Sequence, residues 1–295
     1  MNYVITGSLG NISRPVTERL LAAGHLVTVI THSQERVSDI EALGAKALVG
    51  SVEDEAFLRQ AFSGADVVYT MVPPKWDAAD WKAHIGKVGK YYADATRANN
   101  VKYVVNLSSQ GAHLAEGAGP VSGLFRVEQE LNKLENTNVL HLRPGYFFSN
   151  FFGSTGMIKG MGILGSNIGA ENIMVLSDPS DIADIASEAL LQLNFKGHSV
   201  LYLASDERTP AEIAKTIGDA IDNPNLPWVE FTDEQSIEGM VGAGLSMEVA
   251  ENYTEMGAAL RGGVMAEDYF KNRPASLGKV KLEDFAKKFA QVYQQ

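Results

Sequence analysis

A chain of 295 residues is long enough for one large domain, or a large and a small one, around a sizeable core. Apolar residues at 45% and charged ones at 21% describe a globular protein, and the absence of cysteine excludes disulfides, thiolate catalysis and cysteine-ligated zinc while fitting a reducing, cytoplasmic setting. A net charge of −11 works against nucleic-acid backbones as partners, the six histidines form no short-spaced metal-binding pair, and no uninterrupted apolar run is long enough for a membrane span.

The chain opens straight into a strand and a glycine turn rather than a secretory leader. Six short apolar runs read as strands, at 3–5, 26–30, 47–49, 67–69, 103–105 and 139–142, and helical patterns stand between them at 12–23, 34–43, 53–62, 79–99 and 121–135. Runs that are apolar on both faces and separated by helices of this length predict a doubly wound parallel sheet, an α/β fold of the Rossmann kind, because parallel strands need crossover connections. Beyond residue 152 the beat weakens. Residues 153–170 hold six glycines and little charge, which predicts a loop or lid. An amphipathic helix follows at 180–193, and Thr209-Pro-Ala-Glu212 is a capping-box start for another that runs to about 221. The tail from 233 to 294 reads as short helices, and 230–255 carries acids but no Lys or Arg, the pattern of a solvated face. We expect a dinucleotide-binding domain over 1–152, to which helix 180–193 and strand 199–204 return. A smaller, mainly helical substrate or lid region over 153–295 is interleaved with it.

The first turn carries the chemistry. Thr6-Gly7-Ser8-Leu9-Gly10-Asn11-Ile12-Ser13 lies between a strand and a helix, where a pyrophosphate needs a tight turn, a backbone without Cβ and free N–H groups at a helix start. Gly7 and Gly10 meet the first two needs, and Ser13 stands as a small residue where a third glycine is usual. At the end of the second strand an Asp or Glu would bond the ribose hydroxyls of NAD and repel a 2′-phosphate. This chain has Thr31-His32-Ser33-Gln34 there, with Glu35 and Arg36 just beyond, so the expected cofactor is NADP(H) over NAD(H).

With these pieces in hand the sequence resembles the NmrA-like branch of the atypical short-chain dehydrogenases/reductases. The matching segments are Val4-Ile-Thr-Gly-Ser-Leu-Gly-Asn-Ile-Ser-Arg-Pro15, Met71-Val-Pro-Pro74, Val105-Asn-Leu-Ser-Ser-Gln-Gly-Ala112, Leu142-Arg-Pro-Gly-Tyr-Phe-Phe-Ser-Asn150 and Asp181-Ile-Ala183. The resemblance implies that Gly7, Leu9, Gly10, Asn11 and Ile12 wrap the pyrophosphate, and that Thr31, His32 and Arg36 face the adenosine phosphate. By the same resemblance Val72, Pro73 and Pro74, with Ser108, Pro144 and Tyr146, lie along the cofactor. One departure matters: where typical members of the superfamily place Tyr-x-x-x-Lys, an ungapped placement puts Ser122-Gly-Leu-Phe-Arg126. A serine hydroxyl is too weak an acid to replace the phenol unaided, and an arginine stays charged. Alcohol dehydrogenase and sugar-epimerase chemistry are therefore disfavoured.

Two functions stay open. One is a reductase passing hydride directly to a small electron-poor acceptor such as a quinone. In that case the aromatic row Tyr146, Phe147, Phe148, Phe151, Phe152 forms either a flat slot or core packing. The other is a non-catalytic NADP-binding sensor that reports to a protein partner. Oligomeric state is left open by the sequence. Further candidates for the chemistry are Ser108 and Ser109 as donors to a substrate oxygen, His113 as a proton donor, and Arg126 as a ligand for ribose or carboxylate. Lys75, Trp76 and Trp81 border the expected acceptor site, and His141, inside a strand, reads as a structural histidine.

Overall fold

The computed structural model describes residues 1–295. Six strands, β1 (Asn2–Ile5), β2 (Leu26–Thr31), β3 (Lys46–Val49), β4 (Val67–Thr70), β5 (Tyr103–Leu107) and β6 (Asn138–Pro144), alternate with helices α1 (Ser13–Ala22), α2 (Val37–Ala42), α3 (Glu55–Ala61), α4 (Trp81–Ala98) and α5 (Pro120–Leu131). The rest of the chain adds β7 (Tyr146–Phe147), α6 (Thr155–Met161), β8 (Leu164–Ser166), β9 (Met174–Ser177), α7 (Pro179–Gln192), β10 (His198–Leu203), β11 (Asp206–Arg208) and α8 (Pro210–Ala220). It ends with β12 (Trp228–Glu230), α9 (Asp233–Gly242), α10 (Met247–Arg261), α11 (Glu267–Lys271) and α12 (Leu282–Tyr293). Seven strands form one sheet in the order β10-β6-β5-β4-β1-β2-β3, every pair parallel. The order reverses at β1, so a crevice opens between the loops after β1 and β4, where doubly wound sheets bind ligands. No helix is long and apolar enough to cross a membrane.

Apolar strands make this sheet because both its faces are covered. Tyr3, Ile5, Val29, Leu140 and Leu142 pack with α1 and α7, whereas Val4, Val68, Val104 and Val139 pack with α3, α4 and α5. The Tyr3 hydroxyl donates to the Leu190 carbonyl at 2.8 Å, which fixes α7 to the sheet through a buried bond. A polar ladder crosses the centre. The hydroxyl of Thr70 donates to Asn106 Oδ1 at 2.9 Å, Asn106 Nδ2 lies 3.2 Å from His141 Nδ1, and His141 Nε2 lies 3.0 Å from Asn132 Oδ1. One tautomer satisfies all these contacts, a neutral ring protonated on Nε2. His141 is thus a satisfied structural histidine.

The glycine-rich stretch 153–170 corrects the expectation of a loop or lid. It holds the end of a 3₁₀ turn (Phe148–Ser154), α6, and β8, which pairs in parallel with β12. Ile158, Leu164 and Ile168 bury themselves from it, and their burial with β12 pairing outweighs the poor local propensity of glycine. Most of the aromatic row is core: Phe148 stacks on Phe285 of α12, and Phe152 stacks on Phe289. Phe151 is buried between Tyr146 and Phe285, so Tyr146 and Phe147 are left half-buried at the rim. The Thr209–Glu212 capping box forms as its spacing predicts.

Candidate functional site

The turn after β1 is built around two residues in the left-handed region, Gly7 at φ +87° and Ser8 at φ +55°. A side chain at Gly7 would begin 2.7 Å from Ser13 Oγ and 3.0 Å from Met71 Cγ, so the position accepts only glycine. The turn is held from several sides. Met71 N donates to Thr6 Oγ1, Ser13 Oγ to Thr6 O, Ser8 N to Ile30 O and Ser8 Oγ to Thr31 Oγ1. Ser13 therefore replaces the third glycine as a buried strut and fits without strain. The backbone N–H groups of Leu9, Asn11 and Ile12 donate to nothing in the chain. Helix α1 begins with no side-chain cap and no acid in its first turn. Unpaired amides around a fixed turn at a helix start form a cradle that fits a pyrophosphate.

At the end of β2, Thr31 is buried and accepts from Ser33 N at 3.2 Å, whereas His32 and Arg36 are exposed beside the turn Gln34–Arg36. Every other arginine of the chain is engaged in an ion pair, and Arg36 is in none. Glu35 is the nearest acid in sequence and is itself exposed. Across the crevice Val72, Pro73 and Pro74 extend β4. Lys75 beyond them pairs with Asp77 at 3.2 Å and Glu53 at 3.7 Å, which holds its ammonium above the usual lysine range.

The far end of the crevice lies at the carboxyl ends of β5 and β6. Ser108 is buried, and its hydroxyl donates to Glu128 Oε1 at 2.5 Å, so the expected donor to a substrate oxygen is already committed. Glu128 receives a two-pronged pair from Arg143, through Nε at 3.0 Å and Nη2 at 2.6 Å. Arg143 Nη1 reaches on to the Tyr202 hydroxyl at 2.9 Å and to Asp268 of α11 at 3.1 Å. Burial works against the charge of Arg143, but Glu128 and Tyr202 outweigh it and hold the guanidinium firmly protonated. This pair escapes a sequence reading, although a buried-side His141 and Arg143 alternating in an otherwise apolar strand are its trace.

The replacements for the missing Tyr-x-x-x-Lys pair have local roles. The Ser122 hydroxyl accepts from Ala118 N at 3.1 Å, and Arg126 pairs with Glu116 at 2.9 Å near the surface. Ser109 donates to the carbonyl of Gln110. His113 is half-buried, and its Nδ1 is buried without a partner, as is Gln110 Nε2. Pro144 ends β6, and its carbonyl accepts from Gln110 N. Tyr146 follows at the rim, where burial, with the Tyr253 phenol close by, pushes its phenol up to about 12. Trp81 is buried at the start of α4 and Trp76 is exposed before it. The structure thus groups Gly7, Leu9, Gly10, Asn11, Ile12, Thr31, His32, Arg36 and Val72 to Pro74 at one stretch of crevice, and Ser108, Pro144 and Tyr146 at its other end.

A sheet of this order with an uncapped helix start behind a left-handed turn defines a dinucleotide-binding α/β protein. More particularly, residues 7–136 match a family model described as NAD(P)H-binding. In fold it is similar to an NADPH-dependent quinone oxidoreductase from Escherichia coli, solved with NADPH, with 16% identity over 97% of this chain and 99% of that one and a TM-score of 0.82. A triphenylmethane reductase from Citrobacter sp. superposes equally well, with 18% identity over 99% and 100% of the two chains and a TM-score of 0.81. Among curated relatives, an L-arabinose 1-dehydrogenase (NAD(P)(+)) from Haloferax volcanii is 34% identical over 113 residues, 37% of this chain and 41% of that protein. The chain spans only 21% and 41% of the lengths of the two curated relatives it matches. The shared fold is the doubly wound α/β fold that the sequence predicts.

Proposed function

We propose that this protein is an NADPH-dependent reductase that passes hydride directly to a small, electron-poor acceptor of the quinone type. The observation that carries the reading is the cradle of unpaired amides at Leu9, Asn11 and Ile12 with an uncommitted Arg36 beside it. The amides hold the pyrophosphate, and His32 and Arg36 hold the 2′-phosphate that no carboxylate repels. When bound, the nicotinamide supplies the hydride. The chain's own part is placement: Met71 and Val72 follow β4, Pro144 ends β6 and Tyr146 comes just after it, all at the carboxyl edge of the parallel sheet. Neither Ser108 nor Ser122 is free to move a proton in step with the hydride, since Ser108 is bonded to Glu128 and Ser122 to a backbone amide. An acceptor whose reduced oxygens draw protons from water suits such a site; an alcohol or sugar does not. The E. coli and Citrobacter neighbours, whose names give a quinone and a dye as acceptors, lend support.

The test mixes the protein with NADPH and a panel of benzo- and naphthoquinones and follows loss of the nicotinamide absorbance. Saturable oxidation is the expected outcome. Tight NADPH binding with no turnover on any acceptor would instead make the chain a redox sensor.

A further inference from the structure

We infer that Met71 is a modification site: oxidation of its thioether to the sulfoxide by a peroxide shuts the dinucleotide cradle. The inference rests on the reading of the β1 turn as the seat of the pyrophosphate, and on no particular acceptor. The chain has nine methionines and no cysteine, so thioethers carry all of its sulfur redox chemistry. Met161 and Met247 are 65% and 53% exposed, and Met174 and Met265 are buried. Met71 is half-buried and follows β4 directly, next to the turn.

Its contacts there are close and fixed. A Cβ built on Gly7 would lie 3.0 Å from Met71 Cγ and 3.2 Å from its Sδ, so the thioether occupies the side of the turn that the glycine leaves bare. The Met71 backbone is held in place from two directions, since its N–H donates to Thr6 Oγ1 at 2.9 Å and its carbonyl accepts from the Tyr92 hydroxyl at 2.7 Å. The turn is held as well, through Ser8 N to the Ile30 carbonyl at 3.1 Å and Gly10 N to the Gly7 carbonyl at 3.2 Å. A thioether suits this contact because it is apolar and adaptable; the sulfoxide is larger by an oxygen, polar, and a strong acceptor. With backbone and turn both fixed, the new oxygen has two directions to take. Toward the turn it stands in the approach of the pyrophosphate to Gly7 and offers an acceptor to a loop whose Leu9, Asn11 and Ile12 amides are unpaired. Toward the sheet it buries an unbonded dipole among the apolar residues against which Met71 packs, and so forces β4 and the turn apart. Either way the cofactor loses its seat.

The reaction is an oxygen-atom transfer. Sulfur attacks one oxygen of hydrogen peroxide, an S–O bond forms as the O–O bond breaks, and the other oxygen leaves as water with both protons. Sulfur gives up two electrons and the peroxide takes them. On the reductase reading the product is itself a source of the oxidant, because a hydroquinone that passes two electrons and two protons to O2 returns to the quinone and releases hydrogen peroxide. Loss of NADPH binding then halts the cycle that makes it.

Met71→Leu keeps an apolar chain and removes the sulfur. Parent and variant are treated with hydrogen peroxide until peptide mass mapping shows Met161 and Met247 converted, and the Kd for NADPH is measured by calorimetry against the untreated sample of the same chain. The parent gains an oxygen at Met71 and its Kd rises by about tenfold or more, whereas treatment moves the Kd of the variant by less than about twofold. Methionine sulfoxide reductases of both stereospecificities return the parent to its starting affinity, and its melting curve shows that the treated chain remains folded. A Met71 that stays reduced, an unchanged Kd with Met71 oxidised, an equal rise in the variant, or unfolding of the treated parent overturns the inference alone. An untreated parent that fails to bind NADPH removes the cradle reading, and the inference with it.

Discussion

Acidification should unsettle this protein through His141 before most carboxylates are reached. The ring is 1% exposed and bonded as a neutral donor and acceptor between Asn106 and Asn132. Burial pushes it down from 6.5 to about 4; nearby Glu128 opposes this, while Arg143 and His198 add to it. In the unfolded chain the same ring takes a proton near 6.5, so the folded state holds its full advantage above that pH and loses it as pH falls through the window from 6.5 to about 4. The gap corresponds to roughly 3 kcal/mol of folding free energy. For a chain of this size that is a drop of roughly 6–10 °C in melting temperature. Melts of the parent and of His141→Gln, taken at intervals from pH 8 to 4, separate this group from the carboxylates. The glutamine variant starts less stable, and the difference between the two closes by roughly 3 kcal/mol toward pH 4. Parallel profiles, or an imidazole signal titrating near 6.5 in the folded protein, would refute the reasoning.

Arg36→Ala should raise the Kd for NADPH about five- to tenfold, the size of an exposed cation–phosphate contact, and leave NADH binding unchanged. Calorimetry at fixed salt measures it, the loss should shrink as salt is raised, and equal losses for both cofactors would remove Arg36 from the phosphate site. Glu128→Gln should cost about 3–5 kcal/mol in urea unfolding, because it leaves the buried Arg143 guanidinium without its counter-charge. Replacing Arg143 by Met in the same chain should restore part of that loss; a single-variant cost below about 1 kcal/mol would show the pair to be dispensable.

What could be read in advance was whatever rests on local pattern. The strands show as doubly apolar runs, the turn shows as Gly7 and Gly10 between strand and helix, and the Thr209 cap shows as its own four residues. What could not be read depends on partners distant in the chain. The glycines of 153–170 announce a loop to any local rule, yet β8 is made by β12 more than sixty residues later. Phe148 and Phe152 resemble a ligand slot until Phe285 and Phe289 of α12 are seen to fill it. Ser108 looks free until Glu128 arrives from the next helix. The exposure of His32 and Arg36 follows from their place just past a strand end, and so was legible.

The polar ladder across the sheet has a consequence for how the strands find one another. Thr70 stands directly opposite Asn106, and Asn106 directly opposite His141, in a region where every neighbouring residue is apolar. Valines and leucines alone would let parallel strands slide, because one apolar contact serves nearly as well as the next. A slip of one residue turns the polar groups to the other face of the sheet, and a slip of two sets Asn106 beside Val68 and His141 beside Val104. Either error strands buried donors and acceptors at about 1–3 kcal/mol apiece. The three residues therefore act as a key cut into an otherwise featureless interface. They set the alignment of β4, β5 and β6, and with it the level at which Val72, Ser108 and Tyr146 emerge above the sheet.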